Sequence, residues 1–227
     1  MVYTASVSAP VTGSPVVVTL SNGQTITIPV GSSSASVNFT APNDALAGGG
    51  SLSVKIDDAK GGNYEKLEVD GKSADTWITD TSDTTNLSLT ATGTVDEGGQ
   101  ITYTATLTNA AGTPVTVTLS NGAVITIEAG KTTGSATVDA PKDDVYKDAG
   151  TVEATITGTT GGNFEKLVAS DTPAVTTVND TIDASSVSLS ATSSVAEGGT
   201  VVYTASVSAP VTGSPVVVTL SLSLIHI

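Results

Sequence analysis

The sequence predicts an all-β protein, a tandem array of immunoglobulin-like antiparallel β-sandwich domains, and three observations carry that expectation. Apolar residues alternate with Ser and Thr through one short run after another, Gly- and Asn-rich turn signals punctuate the runs, and the whole pattern returns after about one hundred residues. Val2–Ser21 (VYTASVSAPVTGSPVVVTLS) recurs letter for letter as Val202–Ser221. Between them lies a diverged copy: Tyr3, Tyr103 and Tyr203 are each followed by Thr-Ala, and Gly61-Gly62-Asn63-Tyr64-Glu65-Lys66-Leu67 returns as Gly161-Gly162-Asn163-Phe164-Glu165-Lys166-Leu167. A unit of about one hundred residues is a complete small domain, so each copy can bury its own core. The chain divides into residues 1–83, a repeat lacking its first strand; 84–183, a complete repeat; 184–221, a truncated repeat; and 222–227, a tail foreign to the pattern.

The middle copy supplies the elements in order. Leu87–Thr92 is the first run, closed by Glu97-Gly98-Gly99. Ile101, Tyr103, Ala105 and Leu107 then alternate with Thr102, Thr104 and Thr106, the signature of a half-buried strand with a wet Thr face. Val115, Val117 and Leu119 repeat the pattern, and Asn121-Gly122 turns the chain into Val124–Glu128. Asn-Gly between alternating strands predicts a type I′ hairpin, whose two central residues both need positive φ, and Asn22-Gly23 predicts the same in the first copy. The runs Ala136–Ala140, Val152–Thr157 and Val168–Val178 follow, separated by Pro141-Lys142-Asp143-Asp144 and by Gly161-Gly162-Asn163. Seven short strands in about one hundred residues fit a two-sheet sandwich, and no segment has helical periodicity. The core must be built mainly from Val, Ala and Ile. Each buried aliphatic side chain contributes about 1.5 to 3 kcal/mol against about 1 to 2 kcal/mol of backbone ordering per residue. A lean core therefore calls for a stabiliser outside it.

Composition excludes several function classes. The formal charge is −14, there is no Cys and no Arg, and the single His, His226, falls in the foreign tail. The repeats thus lack the usual neutral-pH general base, thiol nucleophile and oxyanion clamp, and the expectation is a non-enzyme. The acidic balance argues against nucleic acid, which selects Lys and Arg clusters.

The acids cluster at particular places. Asp80 and Asp83 close the first repeat, and Asp180 and Asp183 close the second. Glu97 and Glu197 precede Gly-Gly turns, and Asp143 and Asp144 follow Ala140-Pro141. In sandwiches joined head to tail, linker and loops meet at the junction, where converging carboxylates repel unless a cation sits among them. Calcium is the expected ion, because it accepts six to eight oxygen ligands in irregular geometry. Zinc and copper lack their His and Cys ligands here. The alternative is that the acids are solvated turn residues. Glu65 and Glu165, beside Lys66 and Lys166, read as weak surface pairs.

Together the elements Val-x-Glu-Gly-Gly, Tyr-Thr-Ala, Ser-Asn-Gly, Ala-Pro-x-Asp-Asp, Gly-Gly-Asn-Phe-Glu and Asp-Thr-x-Asp resemble the extender repeats of LapA-like giant bacterial adhesins, the type I-secreted biofilm proteins of the RTX adhesin class. The resemblance runs from Val2 to Ser221 and implies tandem immunoglobulin-like domains held by calcium at their junctions. It implies a secreted, surface-held spacer that projects a distal adhesive region and supports cell adhesion and biofilm formation. Its partners are the neighbouring repeats of the same chain, with no nucleic acid and no membrane insertion by this segment; the adhesive ligand is unspecified. The first copy departs from the pattern, with Asn43-Asp44 where the second has Asp143-Asp144. The runner-up reading is a directly adhesive or carbohydrate-binding module, for which Tyr64 and Phe164 beside Gly-Gly are the candidate stacking residues.

Both ends read as cuts. Met1 stands where the third copy has Val201, and the closing Leu222-Ser223-Leu224-Ile225-His226-Ile227 is the translation of a transposon-end adapter, CTGTCTCTTATACACATC. The expectation is a piece of a longer reading frame, so the lack of a leader carries no information.

Overall fold

The computed structural model describes residues 1–223; residues 224–227, with His226 and most of the tail read as foreign, lie outside the described residues. Every regular element among the described residues is a strand. The Cα packing separates two compact units, one made of residues 1–87, 107–114 and 161–168, the other of residues 88–106, 115–160 and 169 onward.

The first repeat contains β1 (Val2–Ser6), β2 (Val16–Leu20), β3 (Thr25–Ile28), β4 (Ser34–Asn38), β5 (Gly50–Gly61) and β6 (Ser73–Ile78). β1 pairs antiparallel with β4, and the other strands form a sheet in the order β3-β2-β5-β6. The alternation decides which side chains meet: Tyr3, Ala5, Val16, Val18, Leu20, Ile26, Ile28 and Val54 form one buried cluster, while the intervening Thr and Ser face outward.

The second repeat contains β7 (Thr84–Ala91), β8 (Thr94–Asp96), β9 (Gln100–Leu107), β10 (Val115–Leu119), β11 (Val124–Ile127), β12 (Thr133–Asp139), β13 (Gly150–Ala154), β14 (Ile156–Gly161), β15 (Lys166–Ala169) and β16 (Ala174–Asn179). They form sheets in the orders β12-β9-β7-β15, β11-β10-β14 and β13-β16-β8. Leu87, Ile101, Tyr103, Ala105, Leu107, Val115, Val117, Leu119, Ile125 and Ile127 are all buried, the faces the alternation assigns to the core. In the third repeat β17 (Val187–Ala191) pairs with β18 (Tyr203–Val207).

The structure corrects the sequence reading in four places. Asn22-Gly23 and Asn121-Gly122 do close hairpins, but not as type I′ turns: Gly23 (φ 81°) and Gly122 (φ 83°) are left-handed, while Asn22 and Asn121 are not. Each loop has three residues. Gly23 N–H donates to Leu20 O and Gly122 N–H to Leu119 O, and the Asn side chain accepts the next amide, from Gln24 or Ala123. This is the turn-plus-bulge hairpin, in which Gly is needed only at the last position. The run Val152–Thr157 breaks at Thr155, which exchanges hydrogen bonds with Ser120, so that β13 pairs with β16 and β14 lies beside β10. The run Val168–Val178 is likewise two strands, interrupted at Pro173, which has no N–H for a ladder. The short β8 was not expected at all, and it pairs parallel to β16.

Candidate metal centre at the repeat junctions

Three neighbouring strands deliver three carboxylates to one end of a sheet. β16 is flanked by antiparallel β13 and parallel β8, with Gly150 opposite Val178 and Asn179 opposite Asp96. Continuing both registers past the strand ends puts Asp148, Asp180 and Glu97 side by side in adjacent rows, at a strand spacing of about 4.8 Å. The side chains realise that geometry: one carboxylate oxygen from each of Glu97, Asp148 and Asp180 lies within 4.8 Å of the others. The ends are pinned by Glu97 N–H to Asn179 O at 3.0 Å, Asn179 Nδ2 to Asp96 Oδ1 at 3.1 Å and Gly98 N–H to Pro141 O at 2.7 Å.

Glu97 is the centre of this group. It is only 8% exposed, the lowest value of any acid in the described residues, and its Oε2 is buried with no hydrogen-bond partner. Asp180 Oδ1 is likewise buried and unpartnered. Burial, and then Asp148, Asp180 and Asp144, push the Glu97 carboxyl up to about 7. Buried acceptors facing one another without donors are costly, and a cation is the group that satisfies several at once. Glu97, Asp148 and Asp180 therefore form a group able to hold a metal ion.

The corresponding corner of the first repeat is built differently. β5 and β6 pair with Gly50 opposite Ile78, so Gly48 occupies the place of Asp148 and Asp80 that of Asp180. Gly48 N–H donates to Asp80 Oδ2 at 2.8 Å. Asn43 Nδ2 donates to Asp83 Oδ2 at 2.8 Å, and Thr81 Oγ1 donates to Asn43 Oδ1 at 2.7 Å. The second repeat's Gly162-Asn163-Phe164-Glu165 loop closes on this corner: Leu46 and Phe164 form a β-bridge, Ala47 N–H donates to Asn163 O, and Asp83 N–H donates to Glu165. Glu165 is half-buried, with Oε1 unpartnered. The Asp83 amide favours its ionised form, but burial and the carboxylates of Asp80 and Asp83 outweigh that and raise its carboxyl. Asp80 is held low, first by the Gly48 amide and then by Glu165.

The expected acids thus separate into groups. Glu97 and Asp180 meet, although they are 83 positions apart in the chain, and Asp80 and Asp83 meet around Glu165. Asp143 accepts a hydrogen bond from Thr181 and lies beside Gly98, while Asp144 caps the Tyr146 amide at 2.7 Å and acts on Glu97 through its charge. Asp183 and Glu197 are exposed, and neither belongs to the three-acid group. Two members were not expected. Asp148 follows from the β13–β16 register, which the sequence does not print. Glu165, read as a surface pair with Lys166, instead faces Asp83, while Lys66 in the first copy bonds Glu68.

A family model described as the LapA domain matches residues 1–81, 83–181 and 183–225. No curated protein matches the chain significantly.

Proposed function

The chain belongs to the LapA domain family of adhesin repeats, and on that premise we propose that it is a structural extender segment of a secreted, surface-held adhesin. Its task is to add length: immunoglobulin-like repeats joined head to tail carry a distal adhesive region outward and support cell adhesion and biofilm formation, without catalysis. Each strand of about six residues spans about 20 Å, so every repeat adds a few nanometres. The single observation that supports this reading is the unsatisfied Glu97–Asp148–Asp180 corner at the boundary between the second and third repeats.

Calcium is the ion this corner suits. Its donors are carboxylate oxygens without imidazole or thiolate, and calcium tolerates an irregular, partly hydrated shell. Glu97, Asp148 and Asp180 would hold it, with Asp144 close enough to add charge. Repulsion among these acids loosens the junction when the metal is absent, and the ion turns the same acids into a clamp. Net charge of −14 keeps neighbouring repeats and chains apart elsewhere.

Small-angle scattering of the full chain with calcium and with chelator tests the proposal. A larger and better-defined maximum dimension in calcium supports a stiffened spacer. An identical scattering curve in both conditions removes calcium from the account, and specific capture on a glycan array would favour the adhesive-module alternative.

A further inference from the structure

We propose that the first two repeats each carry a docking surface for the repeat that follows, a turn that presents one side chain to a loop of the next repeat, and that this latch holds without a metal, an inference that rests on the head-to-tail order of the repeats. Asp44 Oδ1 accepts the Leu46 amide at 2.9 Å, and Asp144 Oδ1 accepts the Tyr146 amide at 2.7 Å. The same turn, one hundred residues apart, thus holds out Leu46 and Tyr146. Both reach the equivalent loop of the next repeat. Leu46 lies against Gly112, in the loop after β9, and Tyr146 OH donates to Pro210 O at 2.8 Å, in the loop after β18.

Around Leu46 the contact becomes a short antiparallel ladder. Leu46 and Phe164 form a bridge, flanked by Ala47 N–H to Asn163 O at 2.8 Å and Glu165 N–H to Ala45 O at 3.2 Å. That is the non-hydrogen-bonded kind of pair, in which the two side chains stand closest, and aromatic pairs across strands stabilise a sheet. Asn163 completes the ladder: its Nδ2 donates to Ala47 O at 3.1 Å, so one residue satisfies both backbone groups of Ala47. It does so at φ 52°, alone among the non-glycine described residues in having positive φ, a conformation that Asn tolerates better than most side chains.

Gly112 is the floor on which Leu46 rests. A Cβ there would stand 3.1 Å from both Leu46 Cδ atoms, so only glycine leaves the leucine its seat. The floor is fixed from within the second repeat, by Gly112 N–H to Gly162 O at 2.9 Å and Gly162 N–H to Thr113 Oγ1 at 3.0 Å. Peptide and amide groups make every bond of the ladder, so neither salt nor chelator weakens it as it would a pair of charges.

Amide hydrogen exchange of the full chain, resolved residue by residue by nuclear magnetic resonance in chelator, tests the proposal. The expected result is exchange at Ala47 and Glu165 slowed by about tenfold or more relative to an unstructured peptide. Leu46→Asp abolishes the slowing at Glu165, although the substitution lies in the other repeat, and Leu46→Met retains it. The amides of Gly162 and Leu119, both bonded inside the second repeat, stay protected in each variant. Asn163→Gly keeps the left-handed backbone, removes the side-chain bond and speeds the same two amides by about threefold to tenfold. Free exchange at Ala47 and Glu165 in the unaltered chain overturns the proposal, as does slowing at Glu165 that Leu46→Asp and Asn163→Gly both leave intact. The experiment reads the latch alone, since a scattering curve indifferent to calcium leaves these exchange rates as they are.

Discussion

Glu97 and Asp180 leave the ends of two parallel, hydrogen-bonded strands at the same level, so two acids 83 positions apart in the chain become next neighbours across a strand gap. Nothing but register brings them together. Asp148 reaches them from the other side of β16 for the same reason. This corner is where the fold holds charge it cannot neutralise from its own donors, because the chain has no Arg and none of its Lys residues bonds these acids.

Glu97→Gln removes that conflict and the metal site together. In chelator its melting temperature is at or above that of the unaltered chain, whereas in calcium it gains nothing. The unaltered chain gains about 2.7 kcal/mol at a hundredfold excess of calcium over Kd, roughly 10 to 20 °C for a unit of about one hundred residues. Thermal melts of both chains with and without calcium measure the difference.

The raised Glu97 carboxyl gives the metal-free chain a specific pH dependence. Its ordinary value is 4.5 and its folded value about 7, so between those limits the folded chain retains a proton the unfolded chain has released. Stability from this group is therefore highest below about 4.5, falls as pH rises toward 7, and stays low above it. Glu165, also raised, acts in the same direction; Asp80, held low, acts oppositely and loses its contribution in strong acid. Melts in chelator from pH 5 to pH 8 decline for the unaltered chain and decline less for Glu97→Gln. Calcium binding displaces the Glu97 proton, so affinity rises over the same interval.

The two junction corners differ in what holds them. Asn43 donates to Asp83 and the Gly48 amide donates to Asp80, whereas the second repeat has Asp143 and Asp148 at those places. Hydrogen bonding thus does in the first corner what a cation would do in the second. Asn43→Asp replaces a donor with a fourth carboxylate, beside Asp80, Asp83 and Glu165, and destabilises the first unit by about 1 kcal/mol in chelator, and calcium reverses the loss. Chemical denaturation in chelator and in calcium reads both effects.

Equivalent leucines in successive repeats carry unequal weight. Leu89 is 8% exposed and Leu189 is 54% exposed. Leu89→Ala costs about 2 to 5 kcal/mol, while Leu189→Ala stays within about 0.5 kcal/mol of the parent. Urea unfolding followed by circular dichroism separates them.

The fold was legible in the sequence because period-two alternation and the hundred-residue repeat are both local signals. Tyr103, Ala105 and Leu107 alternate with threonines in the sequence as they alternate between core and solvent in the sheet. β8 was hidden because Thr94-Val95-Asp96 is too short to show any alternation, and its parallel pairing with β16 depends on a partner about eighty residues away. The site was half legible for the same reason. Glu97 and Asp180 are conspicuous beside Gly-Gly and at the linker, but Asp148 becomes meaningful only once Gly150 is known to face Val178. Glu165 was misread because Lys166 follows it: Lys166 opens β15, whereas Glu165 lies in the loop before that strand and accepts from the Asp83 amide.

Equilibrium calcium titration of the full chain by calorimetry, alongside Glu97→Gln and Asp180→Asn, tests the central claim most directly. The account predicts saturable binding in the submillimolar to millimolar range that both substitutions weaken by at least tenfold. Calcium uptake indifferent to both substitutions, or no uptake by the unaltered chain, would contradict it.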